Sequence, residues 1–163
     1  MTKPTVDRGK IEKSLHRRPP MPDTSPHRSW TMSQVSQKNT KPEMIVRRLV
    51  YGLGYRYRIH KRGLPGTPDL VFRSRKKVVF VHGCFWHGHA DENCKFSRRP
   101  KSRAHYWEPK LARNAERDAI NEERLRLDGW DVLVIWECQL RNSQVLAARI
   151  SDFLGPTGNF VHS

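Results

Sequence analysis

The chain has 163 residues, of which 36% are hydrophobic, and this size suits one domain with a modest core and no second domain. No segment approaches the roughly 18 consecutive apolar residues of a membrane span, and the basic N-terminus lacks the apolar segment of a signal peptide, so we expect a cytoplasmic protein without a membrane partner. Its 31 Lys and Arg against 16 Asp and Glu give a formal charge of +15, which favours nucleic acid as the partner over a merely solubilising surface or binding to membrane headgroups.

Residues 1–30 have the composition of a disordered basic tail, because prolines such as the Pro19-Pro20 pair recur among few apolar residues. Trp30 and Met32 at its end could anchor the tail to the folded domain or to a ligand. We place the folded domain at residues 31–155 and a short C-terminal tail at 156–163.

A first helix is expected from about residue 41 to residue 53. Thr40 and Glu43 have the spacing of a capping box, and the apolar residues Val46 and Val50 follow at helical spacing. Capping by itself explains a glutamate at position 43.

Three short strands are expected next, at residues 55–59, 69–72 and 77–81. The polar segment between Phe72 and Lys77 indicates a tight hairpin turn, and its antiparallel register would place Asp69 opposite Phe80 and beside Val81. The carboxylate of Asp69 then lies close to the histidines that follow the third strand. Without that convergence, an aspartate after a proline is as readily a simple turn residue.

The stretch VHGCFWHGH at residues 81–89 combines one cysteine, three histidines and two aromatic residues at the end of a strand. Cys84, His89 and Cys94 have the residue types and the short spacing of a zinc knuckle, and Cys138 follows another expected strand that could deliver the fourth ligand. These four residues would close a tetrahedral structural zinc site. The alternative is that Cys138 is an ordinary buried thiol and that the histidines lie in solvent.

A basic loop at residues 95–103 precedes a helix that we expect to carry Pro109 in its first turn and to end at Asp128. Residues 130–135 form a buried strand, and a last helix carries apolar residues between positions 146 and 154. The fold class is therefore α/β, with a small mixed β-sheet flanked by helices. The long helix carries four polar residues at near-helical spacing: Lys110, Arg113, Asn114 and Arg117. They could line a track of DNA phosphates or form an ordinary solvated face.

Four motifs, in this order, resemble the very short patch repair (Vsr) endonucleases: PGTPD ending at Asp69, VHGCFWHGH ending at His89, WEPKLARNAERD ending at Asp118 and WEC ending at Cys138. The resemblance covers about residues 28–153. It implies a restriction-endonuclease-like core with a structural zinc. It also implies a Mg²⁺-dependent enzyme that nicks one DNA strand 5′ of the thymine of a T:G mismatch and so initiates very short patch repair.

The resemblance further assigns roles to single residues. Asp69 corresponds to the metal-binding aspartate of the family, and Val81 to the position whose backbone carbonyl also binds Mg²⁺. His87 corresponds to the candidate general base, His82 to a histidine that contacts phosphate, and Glu43 to an acid that supports the site from a helix. The zinc ligands that it implies are Cys84, His89, Cys94 and Cys138.

Three aromatic residues near the cysteines and histidines are expected to contact DNA together with Lys110, Asn114 and Arg117. Phe85, Trp86 and Trp107 would insert into the base stack beside the mismatch, where a mispair lowers the cost of unstacking. Met32 would insert from the other groove, as the resemblance suggests. The alternative is that the tryptophans are half-buried parts of the core.

The spacer of four residues between His89 and Cys94 is longer than in many family members, so Asp91 or Glu92 could replace Cys94 as a ligand. The family also lacks the Glu-x-Lys pair of other restriction-like nucleases, which leaves a carboxylate-poor metal site. We expect a monomer in the bacterial nucleoid, with mismatch-repair proteins as partners. Two other functions remain open: a zinc-stabilised DNA-binding module without catalysis, and a related restriction endonuclease of another specificity.

Overall fold

The computed structural model of the protein describes residues 39–59, 61–98 and 104–157. The expected tail at 1–30, Met32 and residues 158–163 lie outside the described residues. In chain order the helices and strands are α1 (Lys41–Gly52), β1 (Leu70–Phe72), β2 (Lys77–His82), α2 (Ala104–Leu127), β3 (Asp131–Trp136) and α3 (Ser143–Leu154). Short 3-10 turns follow β1, at Arg73–Arg75, and β3, at Glu137–Arg141.

The three strands form one mixed sheet in the order β1-β2-β3. β1 and β2 are antiparallel, with Phe72 paired with Lys77, so the predicted hairpin is confirmed. β2 and β3 are parallel, and their register pairs His82 with Trp136. Because the two strands run in the same direction in this register, they end side by side at one end of the sheet, next to the cysteines and histidines.

Helices cover both faces of this sheet. On one face, Val79 of β2 packs with Val46 of α1 and Ile150 of α3. On the other face, Val78 packs with Leu125 of α2. Successive side chains of a strand point to opposite faces, so the continuous apolar run of β2 is buried on both sides. The predicted α/β class, with a small mixed sheet flanked by helices, is confirmed.

α1 begins where the capping box predicts. The side chain of Thr40 accepts a hydrogen bond from the backbone N–H of Glu43, and the helix ends at Gly52, one residue before the predicted end. Val46 and Val50 are completely buried. The helix is therefore stabilised by its apolar face as well as by its cap.

Residues 55–59 do not form the predicted strand. Only Arg58 pairs with the sheet, through one isolated bridge to Val71. Side-chain bonds hold this segment instead, because the hydroxyl of Tyr55 donates to the carbonyl of Gly155 (2.7 Å) and that of Tyr57 to a carbonyl of α1 (3.1 Å). The alternation of the tyrosines reflects which side chains turn inward, and it does not require a continuous ladder of backbone bonds.

α2 begins earlier than predicted, so that Pro109 lies inside the helix and not in its first turn. Proline has no N–H to donate to the carbonyl of residue 105, so one hydrogen bond near the start of the helix is lost. Gly129 follows the end of the helix with a φ of 78°, a conformation that glycine adopts without strain. No helix of the described part of the chain is long and apolar enough to cross a membrane.

Candidate active site and metal centre

The hairpin of β1 and β2 brings Asp69 to the end of β2. The backbone N–H of Val81 donates a hydrogen bond of 2.7 Å to Oδ2 of Asp69. The pairing of Leu70 with Val79 explains this contact, because the residue before Leu70 then lies beside Phe80. The predicted approach of Asp69 to the end of β2 is confirmed.

The carboxyl group of Asp69 is costly to ionise in this position. Burial raises its pKa from 3.8 to about 6, the hydrogen bond from Val81 opposes this shift, and the charge of Glu43 adds to it. A cation bound at the carboxylate would favour the ionised form and remove the penalty. Carboxylate and carbonyl oxygens are the ligands that hard divalent cations prefer, so this end of the hairpin suits such an ion.

Glu43 is buried at the start of α1, where several groups bond to its carboxylate. One oxygen accepts a bond from the hydroxyl of Thr40 (3.0 Å), and the other accepts bonds from the N–H of Asn39 and from the guanidinium of Arg47 (both 2.9 Å). Glu43 and Arg47 form an ion pair whose side chains are only 5% and 8% exposed. Glu43 thus stabilises the helix start, and its charge also raises the pKa of Asp69.

A second group of side chains surrounds His87. Its Nδ1 lies 2.5 Å from Oδ2 of Asp118, a residue of α2. The ring of His82 stacks on that of His87, with centroids 4.0 Å apart and planes 4° from parallel. The hydrogen bond determines which nitrogen of His87 carries the proton, and the stacked ring restrains its orientation.

The charges in this group differ from residue to residue. Burial, and then the neighbouring His87, lower the pKa of His82 to about 4, so His82 is neutral near pH 7. Burial opposes the ionisation of Asp118, but the hydrogen bond from His87 and the charge interaction with that ring outweigh it and lower the pKa of this carboxyl. An ionised Asp118 therefore faces His87 on one side, and a neutral His82 covers its ring.

One potential metal-ligand atom from each of His82, His87 and Asp118 lies within 4.8 Å of the other two, as in a metal site. The lone pairs of two stacked imidazoles lie in two separate, parallel planes, whereas a metal ion requires nitrogens whose lone pairs converge on one point at about 2.0–2.1 Å. The stacked geometry therefore argues against chelation by both rings, and the hydrogen bond between His87 and Asp118 favours proton transfer instead.

Sequence reasoning missed Asp118 as a site residue, although its spacing was a usable signal. Leu111 and Leu125 of α2 are buried, and Asp118 lies midway between them, two helical turns from each. An acidic residue on the buried face of a helix requires a partner, and His87 is that partner.

The ends of β2 and β3 also bring four metal-ligand side chains together, with all donor atoms within 4.8 Å of one another: Cys84, His89, Cys94 and Cys138. Cys138 Sγ is 3.7 Å from His89 Nδ1, and all three cysteines are free thiols. A tetrahedral zinc site with bonds of about 2.0–2.3 Å places its ligand atoms about 3.3–3.8 Å apart, which is close to this spacing. The group could hold one metal ion.

The long spacer leaves Cys94 in this group and Asp91 outside it. Oδ1 of Asp91 accepts a bond from the N–H of Asn93 (2.9 Å), and its carbonyl accepts one from the N–H of Cys94 (3.0 Å). Asp91 thus closes the turn that carries Cys94 inward, where Cys94 is 6% exposed. Glu92 remains exposed.

Phe85, Trp86 and Trp107 form one half-buried aromatic cluster. Their ring centroids lie 5.1–6.1 Å apart in T-shaped pairs, and the ammonium of Lys110 lies 5.6 Å from the centre of each tryptophan ring. Asn114 donates a hydrogen bond to the carbonyl of Trp86 (3.0 Å). In the described part of the chain, none of the three aromatic residues belongs to either hydrophobic core cluster.

The polar residues of α2 that sequence analysis selected lie along this same region. Lys110 and Asn114 contact the aromatic cluster, whereas Arg117 is exposed and its guanidinium lies 3.5 Å from Asp118. One side of α2 therefore connects the aromatic cluster to the His87 group.

Comparison with known proteins shows what this chain is related to. A family model described as DNA mismatch endonuclease Vsr matches residues 23–93. The chain is 49% identical over 130 residues to the type II nicking enzyme V.XorIIP of Xanthomonas oryzae, covering 80% of this chain and 93% of that protein. It is 38% identical over 119 residues to the DNA mismatch endonuclease Vsr of Escherichia coli, covering 73% and 74%. The chain belongs to the Vsr family of DNA mismatch endonucleases.

Another relative, the type II nicking enzyme V.NmeAIP of Neisseria meningitidis, is 41% identical to this Vsr chain over 128 residues, with coverage of 78% and 89%. As a Vsr family member the protein is a DNA endonuclease, and hence a hydrolase of DNA repair. The family and the DNA partner predicted from the sequence are confirmed. The match to the family model includes Asp69, His82 and His87 and ends before Cys94, and Asp118 lies beyond it.

Proposed function

We propose that this Vsr endonuclease nicks one strand of duplex DNA 5′ of the thymine of a T:G mismatch, by Mg²⁺-dependent hydrolysis of the phosphodiester, and so initiates very short patch repair. The observation that carries the proposal is the pair of His87 with Asp118 at the same end of β2 as Asp69 and Val81. A restriction-endonuclease-like core is the proposed architecture, and the mixed sheet with helices on both faces is compatible with it.

The carboxylate of Asp69 and the carbonyl of Val81 would hold the Mg²⁺ ion. When bound, the ion supplies positive charge that stabilises the transition state at phosphorus and the leaving oxygen. The donor set supports this assignment, because both groups are hard oxygen ligands. The raised pKa of Asp69 supports it as well, since a cation is what would bring that pKa down.

His87 is the general base in this proposal. With Nδ1 bonded to Asp118, the neutral ring leaves Nε2 as the acceptor for a proton of the attacking water. The charge of Asp118 then stabilises the imidazolium that forms. His82 is neutral near pH 7, so it contacts a phosphate oxygen as a hydrogen-bond donor and not as a cation.

Glu43 supports the site from α1. Its carboxylate is bonded to Thr40, Asn39 and Arg47, so it acts by anchoring the start of the helix and through its charge on Asp69. This role is that of a supporting residue, and a variant that keeps the cap bonds should keep much of the activity.

A zinc ion bound by the four ligands would be structural. The protein would supply all four ligands and leave no open position for a water or a substrate. These ligands are Cys84, His89, Cys94 and Cys138. The site would join the loop after β2 to the turn after β3, and His87 lies in the chain between two of the ligands. The zinc site thus holds the proposed base without binding it.

The aromatic cluster supplies mismatch recognition in this proposal. Phe85, Trp86 and Trp107 insert beside the mispair, where unstacking costs less than in paired DNA. Their place outside both core clusters supports this role, and Lys110 and Asn114 hold the cluster on α2 until DNA binds. Arg117 adds a phosphate contact and Met32 a second wedge.

The test is a labelled duplex with one T:G mismatch, incubated with the protein and Mg²⁺ beside a fully paired duplex. A nick in the thymine strand, 5′ of the mismatch and absent from the paired duplex, supports the proposal. Binding without cleavage would favour a DNA-binding module without catalysis. Cleavage of both strands of the paired duplex would favour a restriction endonuclease of another specificity.

The proposed enzyme acts as a monomer and passes the nicked duplex to mismatch-repair proteins. Sedimentation of the protein with and without the mismatched duplex tests the first point. A complex with two chains on one duplex would contradict it.

A further inference from the structure

Four aromatic rings contact one another in series from His89 to His87. His87 stacks on His82 (4.0 Å, 4°), His82 meets Trp136 edge to face (5.3 Å, 71°), and Trp136 stacks on His89 (4.3 Å, 22°). Trp136 therefore lies between a ligand of the proposed zinc site and the histidine that covers the proposed base.

The sheet places Trp136 in this position. Trp136 is the last residue of β3 and pairs in register with His82, the last residue of β2. Paired residues on neighbouring strands are about 4.8 Å apart and point to the same face, so their side chains meet. The backbone N–H of Trp136 donates to Oε1 of Gln139 (3.0 Å), which also accepts a bond from Arg149 of α3 (2.7 Å). The end of β3 is thus tied to a core helix.

Hydrophobic packing does not account for Trp136. Within the described residues it belongs to neither core cluster, and its side chain is only half-buried. Trp130, just before β3, differs in both respects, because it is 8% exposed and packs in the cluster beside α2. The ring of Trp136 contacts the two histidines instead.

A general base must present one nitrogen in one direction. The bond to Asp118 anchors Nδ1 of His87, but the ring can still turn about that bond unless its face is restrained. His82 restrains the face of His87, and Trp136 restrains His82. Misplacement of a reacting group by about 1 Å can lower the rate about 100-fold, so movement of the His87 ring would slow the chemical step.

We propose that Trp136 is a positioning residue of the nicking reaction, which holds the stacked rings of His82 and His87 in place and braces them against His89. This inference rests on the proposed function. Trp136 acts through other side chains and need not touch DNA. Its replacement should therefore slow the chemical step and leave the affinity for DNA and the zinc content unchanged.

The experiment compares wild type with Trp136→Leu and Trp136→Phe. Zinc is measured by metal analysis, affinity for a T:G duplex by fluorescence anisotropy without Mg²⁺, and nicking by single turnover at saturating enzyme and Mg²⁺. We expect Trp136→Leu to keep its zinc and its affinity, while nicking slows by about 10- to 100-fold, as when other outer contacts of catalytic or metal-binding groups are lost. Trp136→Phe keeps a smaller ring and should have an intermediate rate.

Trp130→Leu is the matched control, because it removes a tryptophan of the core beside the same strand. It should lower the melting temperature and leave the nicking rate of the folded enzyme unchanged. A zinc-loaded Trp136→Leu enzyme that nicks as fast as wild type overturns the inference. If that variant does not fold or does not hold zinc, Trp136→Phe decides: a reduced rate with full zinc supports the inference, and a wild-type rate overturns it.

Failure of the inference and failure of the proposed function give different results. A wild-type enzyme that does not nick the T:G duplex overturns both. Wild-type nicking beside an unimpaired, zinc-loaded Trp136 variant overturns the inference alone.

Discussion

Nδ1 of His87 lies 2.5 Å from Oδ2 of Asp118, although 31 positions separate the two residues in the chain. His87 belongs to the loop after β2, and Asp118 belongs to α2. The pair makes α2 part of the proposed catalytic site as well as a surface for DNA.

Asp118→Asn should slow single-turnover nicking of a T:G duplex by about 100-fold or more, because asparagine can bond to His87 but does not stabilise an imidazolium. Affinity for the duplex should change little. Asp128→Asn makes the same chemical change at an exposed position just beyond the end of α2 and should nick like wild type. Equal rates for the two variants would contradict the proposed role of Asp118 in stabilising the imidazolium of His87.

Cys138→Ser should lose the zinc ion, of which we expect about one per chain, together with thermal stability, because a small domain with a modest core depends on its metal. Metal analysis and thermal melting of the purified protein measure both. Asp91→Asn is the control, since Asp91 lies in the spacer before Cys94 but its carboxylate bonds to the N–H of Asn93. Full zinc occupancy in Cys138→Ser would refute the four-ligand site.

Asp69→Asn should stabilise the protein when Mg²⁺ is absent and the pH is high. The pKa of Asp69 is raised from 3.8 to about 6, so the folded protein holds this proton more tightly than the unfolded chain does. The resulting stabilisation is complete below about pH 4 and is lost as the pH rises through about 6. In buffer without added Mg²⁺ or chelator, so that zinc stays bound, the melting temperature of Asp69→Asn should therefore exceed that of wild type at pH 8 and match it at pH 4.

The same variant should not nick at any pH in the presence of Mg²⁺, while it keeps its affinity for the mismatched duplex. Asparagine retains an oxygen for the N–H of Val81, so the hairpin should remain intact. His87→Ala should be severely impaired as well, and Glu43→Gln only mildly. Wild-type turnover by Asp69→Asn would exclude this residue as the metal ligand.

Gly66→Ala should destabilise the protein more than Gly129→Ala does. Both glycines have a positive φ, 69° and 78°, where another residue costs about 1–2 kcal/mol. A Cβ at position 66 would also lie 3.1 Å from Asn121 and 3.2 Å from Phe80, whereas one at position 129 meets nothing within 4 Å. The difference between the two melting temperatures measures how tightly the turn before Asp69 packs on α2. Equal melting temperatures would show that the turn shifts to make room for the added Cβ.

Trp86→Ala should keep its zinc and its melting temperature and lose its preference for T:G over paired duplex. The ring packs on Phe85 and Trp107 outside the two core clusters, so folding depends on it little. Competition binding with both duplexes measures the preference. Trp130→Ala is the control and should melt at a much lower temperature. A Trp86→Ala protein that melts equally low, with a folded fraction that still discriminates, would make Trp86 a core residue.

Features that depend on neighbours in the chain were determined by the sequence alone. Thr40 and Glu43 specify the start of α1 through a local cap. The short polar turn between β1 and β2 specifies a hairpin, and its register then places Asp69 beside Val81. The motifs were long enough to identify the family before any contact was known.

Only the tertiary structure decided the features that join distant parts of the chain. Residues 55–59 alternate like a strand but form one bridge, because alternation records burial and not the presence of a partner strand within hydrogen-bonding reach. The pairing of Asp118 with His87 and the contact of Trp136 with His82 depend on how α2 and β3 pack on β2. The spacing of Asp118 from Leu111 and Leu125 marks the buried face of α2, but spacing along the chain does not show which distant side chain a residue meets, because that depends on the packing of whole elements.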